Sequence, residues 1–420
     1  MKKTYLLIIQ FLFLFSYISA QDCGNRYQTN IFTDVDVSTV KYGEAVNVSG
    51  QTQELFLDLY QPEGDAEENR PLVIFAFGGS FVGGSRTSAE LVHMATELAK
   101  KGYVCASIDY RLASNPLDLI QAEALVKTVF RAIQDGSAAI RFFKSDADNA
   151  NEYKINPNQI FIGGTSAGGI LAINLAFVDD MDKLSTQWRQ WADDIGGLEG
   201  GSATNLAYDN TVQGTFGFAG AIADTSYIDA NSVPFYGSHA TSDNTVQYGF
   251  GPPLSGVAPV SLYGSGLIDA RMQNLGLYSV LDTYEGGDHP PLMASTEILN
   301  ETTQNLTCFL FNILECNSAD HSAGVEISCD FGESPNSILS AENYDIQVYP
   351  NPAKNILNLS IEGIEIEQGS IYNLAGQLVQ TVALEELNNK SINVSHLNSG
   401  VYFIEFSNAY QKETRKLTIY

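Results

Sequence analysis

Short apolar runs alternate with longer stretches of three- and four-residue apolar spacing from about residue 51 to residue 310. Glu54–Tyr60 alternates apolar and polar positions and predicts an early strand. Pro71–Phe77 is apolar almost without interruption, the pattern of a strand buried on both faces. A helix over Ser88–Lys101 and a strand around Tyr103–Tyr110 follow. Within residues 117–145, Leu125, Val129, Ala132, Ile133, Ile140 and Phe143 recur at helical spacing. Ile160–Ile162 then leads through a glycine-rich turn into an apolar helix, Ala167–Phe177. Later strands are predicted at Thr215–Ile222, Val233–Ser238 and Val280–Tyr284, with a closing helix around 293–313. Such alternation predicts an α/β fold, a mostly parallel sheet flanked by helices. Residues 178–214 interrupt it with Trp188, Trp191 and the run Gly196-Gly197-Leu198-Glu199-Gly200-Gly201, which suits a flap over a site or a surface excursion.

The pattern changes after this α/β region, assigned to residues 21–330. Residues 331–343 are rich in Gly, Glu, Ser, Pro and Asn and read as a linker. Short alternating runs follow at Ile346–Tyr349, Ile356–Ile361, Ser370–Tyr372, Val401–Phe406 and Lys416–Ile419. They predict a small all-β sandwich over residues 344–420. Its histidine, His396, falls in a loop and carries no catalytic constellation.

At the start of the chain, Lys2 and Lys3 precede an apolar run, Tyr5–Tyr17, and Ser19-Ala20 supplies small residues for cleavage. Residues 1–20 are therefore set aside as a signal peptide, and the protein is expected to be secreted, outside the cell or at its surface. The run is shorter than the roughly 20 apolar residues that cross a bilayer, so no transmembrane segment is expected. A hydrophobic fraction of 44% excludes a disordered chain. With 49 acidic against 22 basic residues the net charge is −27. A surface this negative repels phosphate backbones and anionic lipid, which excludes nucleic acid as a partner. Export also places the five cysteines where disulfides persist. Cys105, in an apolar strand, is expected to be a buried thiol. Cys23, Cys308, Cys316 and Cys329 are left for two bridges of open connectivity.

The chemistry centres on Gly164-Thr165-Ser166-Ala167-Gly168. This G-x-S-x-G lies between a strand and an apolar helix, where a sharp turn lifts the serine hydroxyl above the sheet. A serine hydroxyl needs a base and an orienting acid before it attacks. Of the five histidines, His93 lies on a helix, His321 near the linker and His396 in the tail, leaving His239 and His289. The chain order of this turn type is Ser, acid, His, which favours His289 in its glycine-rich loop. The acid belongs after an intervening strand, where Asp243 and Asp224 both qualify; Asp288 is too close along the chain to reach back.

Ala76-Phe77-Gly78-Gly79-Ser80-Phe81 resembles the H-G-G-G loop of carboxylesterases, with Phe77 and Ser80 departing from that motif. Backbone N–H groups of Gly79, Ser80 and Ala167 are the expected oxyanion donors. A phosphate cradle is the competing reading of these glycines, but no G-K-[ST] follows. With Asp109-Tyr110-Arg111, the elbow at 164–168, Asp243 and His289, residues 23–315 resemble the carboxylesterase superfamily of the α/β-hydrolase fold, BD-FAE-like members included. The resemblance implies that Asp243, in an H-x-x-x-D segment with His239 as neighbour, is the acid, and that Arg111 ties loops together. It implies an acyl-enzyme mechanism on carboxylic esters, short-chain or linked to plant polysaccharide, with no cofactor or metal. A serine peptidase or polyesterase on the same scaffold, or a binding protein with the site unused, are the alternatives. The lack of a long apolar cap favours short acyl groups.

In the tail, Val348-Tyr349-Pro350-Asn351-Pro352-Ala353, Tyr372-Asn373-Leu374-Ala375-Gly376-Gln377, Leu397-Asn398-Ser399-Gly400-Val401-Tyr402-Phe403 and Lys416-Leu417-Thr418-Ile419 resemble the type A sorting domain of the type IX secretion system. The resemblance implies that the secretion machinery is a partner. A carbohydrate-binding sandwich is the competing reading.

Overall fold

The structure is a computed structural model that describes residues 23–201, 204–287, 289–314, 345–362, 368–373, 378–384, 391–407 and 412–420. Residues 1–20, the linker, Asp288, Cys316, His321 and Cys329 lie outside the described residues. The chain divides into two compact units, one up to Gly332 and one from Glu333.

In the first unit the elements run β1 (Val35–Val46), β2 (Thr52–Pro62), β3 (Arg70–Ala76), α1 (Ala89–Lys100), β4 (Val104–Ile108), α2 (Ala122–Asp148), β5 (Ile155–Thr165), α3 (Ala167–Phe177) and α4 (Thr186–Asp193). They continue with β6 (Gly214–Phe218), β7 (Ala221–Ile222), β8 (Phe235–Ala240), β9 (Phe250–Gly251), a short α5 (Pro253–Gly256), β10 (Leu262–Gly264), α6 (Ser265–Asn274), β11 (Ser279–Tyr284) and α7 (Thr296–Ile313). Eight strands form one sheet in the order β1-β2-β4-β3-β5-β6-β8-β11. The β1–β2 and β2–β4 pairs are antiparallel and all other neighbours are parallel, the α/β-hydrolase arrangement. Helices α1 and α7 pack together, as do α2 and α3. Every residue of β3 is buried, which is why its sequence is nearly all apolar.

Two strand expectations change. The run Thr215–Ile222 is not one strand: Ala219 takes φ 54°, so β6 stops at Phe218 and Ala221–Ile222 joins a small separate sheet, β7-β10-β9. Edge strand β1 is also present, twelve residues long and mostly exposed, so its sequence shows little apolar alternation. Cys105 is a buried free thiol, whereas Cys23 and Cys308 are disulfide-bonded.

The second unit holds β12 (Asp345–Tyr349), β13 (Ile356–Glu362), β14 (Gln368–Asn373), β15 (Leu378–Ala383), β16 (Ser391–Asn393), β17 (Gly400–Ser407) and β18 (Lys412–Ile419). They form two antiparallel sheets, β12-β13-β16 and β15-β14-β17-β18. Leu357, Ile392, Ile371, Ile404 and Leu417 bring both sheets into one apolar core, a sandwich.

Candidate active site

Strand β5 delivers the chain to Ser166, and α3 begins at the next residue. Ser166 has φ 53° and ψ −115°, a region that side chains other than glycine seldom occupy. Neighbouring strand β6 holds the turn, since the Ser166 N–H donates to the Phe218 carbonyl at 2.7 Å. The flanking glycines are required by close approach. A Cβ on Gly164 would lie 2.1 Å from the Ala76 carbonyl oxygen, and one on Gly168 2.0 Å from it.

The turn aims the hydroxyl at His289, which follows β11. His289 Nε2 lies 2.7 Å from Ser166 Oγ, and its Nδ1 lies 2.5 Å from Asp243 Oδ2. Asp243 follows β8 and is buried. Its other oxygen accepts from the backbone N–H groups of Thr245 and Val246, at 2.8 and 3.0 Å. Burial by itself would raise the Asp243 pKa. Hydrogen bonds from His239 and His289, the His289 charge and the Val246 N–H outweigh it, holding the carboxyl well below its usual range. Asp224 is not brought to His289: its carboxylate caps a turn by accepting from the Ser226 N–H at 2.8 Å.

His239 sits beneath the acid, fully buried. Its Nε2 is 2.8 Å from the Val246 carbonyl and 3.3 Å from Asp243 Oδ2, and its Nδ1 is 2.9 Å from Ser265 Oγ. A carbonyl oxygen only accepts, so Nε2 carries a proton and His239 steadies the acid from below. Sequence reasoning placed His239 as a bystander, because Ser265 and Val246 carry no motif.

The 77–81 loop passes alongside the elbow. Gly79 has φ 128°, Ser80 φ 54° and Phe81 φ 60°, so three successive residues turn left-handed. Ser80, Ser166 and Ala167 line the same cavity. Ala167 is the first residue of α3, and its N–H therefore has no partner within the helix. Phe77 stands where the motif has histidine, and Tyr110 supports it. The Tyr110 ring stacks on Phe77 at 4.3 Å and its hydroxyl donates to the Phe77 carbonyl at 2.7 Å. The Asp109-Tyr110-Arg111 run is legible in the sequence, but the contact of Tyr110 with the loop 33 residues earlier is not, because no local pattern links the two. Next to Tyr110, buried Arg111 grips buried Asp135 on α2 through Nε at 2.9 and 3.0 Å, and reaches the Val46 carbonyl at 2.9 Å. His93 lies on α1 and exposed His396 in the second unit.

Fold and site together define an α/β-hydrolase-type domain carrying a Ser-His-Asp arrangement. Residues 57–196 match the BD-FAE family and residues 347–420 the secretion system C-terminal sorting domain. Over residues 57–196 the chain is thus similar to BD-FAE esterase domains, and its C-terminal sorting domain indicates type IX secretion, out of the cell or to its surface. Among curated proteins it is 27% identical over 129 residues to fumonisin B1 esterase of Sphingopyxis macrogoltabida, covering 30% of this chain and 23% of that protein. It is 34% identical over 120 residues to an AB hydrolase superfamily protein of Schizosaccharomyces pombe, covering 28% of this chain and 30% of that one. The chain therefore spans less than a third of the length of these relatives. Among solved structures, propionate-bound esterase 2 of Thermogutta terrifontis is 20% identical with a TM-score of 0.48, covering 66% of this chain and 94% of that one. Its apo form is 19% identical with a TM-score of 0.49, covering 68% and 97%. No helix among the described residues is long and apolar enough to cross a membrane.

Proposed function

We propose that the protein is a secreted serine hydrolase that cleaves carboxylic esters through Ser166, His289 and Asp243. The observation that carries this reading is the unbroken hydrogen-bonded chain from Asp243 through His289 to Ser166, at 2.5 and 2.7 Å. His289 Nε2 takes the hydroxyl proton as Ser166 Oγ attacks the ester carbonyl carbon. Asp243 holds the ring by its Nδ1–H and stabilises the imidazolium that results. The negative charge forming on the carbonyl oxygen is met by the N–H groups of Gly79, Ser80 and Ala167, the last at a helix N-terminus. The tetrahedral intermediate collapses, and His289 gives its proton to the departing alcohol. Water, activated by the same histidine, then attacks the acyl-Ser166 ester and releases the acid.

The signal peptide at 1–20 and the sorting domain are the export signals in this reading, and the type IX machinery is the partner that recognises the second. The test is labelling by a fluorophosphonate, which reacts only with an activated serine, together with hydrolysis of p-nitrophenyl esters. Wild type should label and turn over, and Ser166→Ala should do neither. A wild-type protein that does neither would sink the proposal.

A further inference from the structure

A cavity of about 80 Å³ extends from the nucleophile into the first unit. It begins at Ser80, Ser166 and Ala167, beside the hydroxyl, and then follows α3, with Ile170 and Asn174 in its wall. Eight residues separate Ser166 from Asn174, about 12 Å at 1.5 Å rise, and the lining continues past it to Val178 at the end of α3. Asn174 does not make that stretch of wall polar. Its Nδ2 donates to the carbonyls of Ile170 and Ala221, at 2.7 and 3.2 Å, and its Oδ1 accepts from the Ala223 N–H at 3.4 Å. The side walls come from Val129 and Phe130 on α2, Trp188 on α4 and the stretch 253–262. Among the described residues, no charged side chain lines this space.

We infer that the cavity is an acyl pocket for an unbranched, uncharged hydrocarbon acyl group of medium length, with an upper limit near eight carbons. This rests on the hydrolase reading above. The lining selects by desolvation: most of it is apolar and rewards each methylene removed from water, whereas a buried charge would find no charged partner among the lining side chains, whose polar members include Tyr227 and Thr245. Size sets the limit. One water-sized group occupies roughly 10–15 Å³ on this scale, so the cavity holds about five to eight non-hydrogen groups. The absence of a long apolar cap pointed to short acyl groups; α2 and the 253–262 stretch add walls of their own, and the medium length proposed rests on them.

The limit is sharp because the walls are tied together. The segment that carries Trp188 is fastened along α2, the helix of Val129 and Phe130. Lys127 reaches Asp194 at 2.9 Å, and Gln134 donates to the carbonyls of Ile195 and Gly197 at 3.1 and 2.7 Å. Arg141 pairs with Glu199 and donates to the Thr204 carbonyl at 3.1 Å, and Lys144 holds Asp209 at 2.5 Å and the Thr211 carbonyl at 2.9 Å. Four α2 side chains in succession thus strap the excursion down. These contacts hold residues 194–211, beginning at the C-terminal end of α4, against α2, and in this arrangement Trp188 stands as a wall that an over-long acyl chain meets.

The experiment measures kcat/KM of the full chain on p-nitrophenyl acetate, butyrate, hexanoate, octanoate and dodecanoate. The specificity constant should rise about fourfold per methylene where the chain enters the pocket, at least tenfold in total, and peak at hexanoate or octanoate. It should fall at least tenfold at dodecanoate. Val129→Phe fills the pocket and should cut the hexanoate-to-acetate ratio at least tenfold, and Trp188→Ala should move the peak to longer chains. A wild-type maximum at acetate, or ratios unmoved in both variants, overturns the pocket while the hydrolase reading stands. Absence of both ester turnover and fluorophosphonate labelling takes down the two together.

Discussion

The two units of this chain bury different kinds of side chain. In the first, Arg111, Gln134, Asp135, Arg141, His239 and Asp243 are buried among apolar neighbours. In the second, Ser370 is the only buried polar residue among the described ones, and the rest of the interior is apolar. A buried charge is costly unless it is paired and hydrogen-bonded, so a fold that keeps several has specified their geometry. That geometry is what the chemistry needs: Asp243 is held by two backbone N–H groups and two histidines. Among the described residues the sandwich has no such interior, and on the proposed reading what it offers a partner is its surface. On that reading, the difference separates a unit built to react from one built to be recognised.

The sharpest way to break that division is at the nucleophile. Ser166→Ala should lower kcat on p-nitrophenyl hexanoate by roughly 10³-fold or more, and His289→Ala by a similar factor. The double variant should cost little beyond either, because the residues act as a unit. Additive losses would show that the two act separately. Asp243→Asn should cost roughly 10²–10⁴-fold, whereas Asp224→Asn should stay within about twofold of wild type. A heavier loss at Asp224, with folding checked by circular dichroism, would move the acid to the other strand.

The buried charges themselves make the next test. Arg111→Met leaves Asp135 buried without its cation and should lower unfolding stability by about 3–5 kcal/mol in urea titration. Phe403→Ala, at a part-exposed position of the sandwich, should fall within about 0.5 kcal/mol of wild type. Equal effects would erase the contrast between the units.

A pH series sharpens it further. Asp243 is held below its usual pKa in the folded protein, so its stabilisation is present above the unfolded value of about 3.9. Below that value the unfolded chain takes up a proton that the folded state resists, and this contribution is lost as pH falls toward the folded pKa. Urea midpoints should therefore drop on acidification below about pH 4, and less steeply in Asp243→Asn. An identical slope in the variant would mean that other carboxylates carry the acid sensitivity. The smallest effect is expected from removing the second unit. A chain ending at residue 330 should keep kcat/KM within about twofold of the full mature protein. Loss of activity in a folded truncated chain would make the sandwich part of the catalyst.

What the amino-acid sequence determined by itself was local. The strand–G-x-S-x-G–helix succession announces the elbow because the turn is made by adjacent residues, and Ala167–Phe177 is the helix its apolar run predicts. The second unit is legible for a similar reason, since a two-residue repeat and turn residues are short-range signals. Edge strand β1 left little trace because most of its residues face solvent and need not alternate. The residues themselves left Asp243 and Asp224 open, and the family resemblance pointed to Asp243; the tertiary structure is what sets Asp243 beside His289. Asp224 and Asp243 both follow strands, and their distance from the ring depends on sheet order and on how each loop leaves its strand. The same holds for Tyr110 beneath the Phe77 loop, His239 beneath the acid, and a cavity walled by residues from Ser80 to Leu262. Such groups become neighbours only when elements far apart in the chain pack together, and packing between distant elements leaves no periodicity in a sequence.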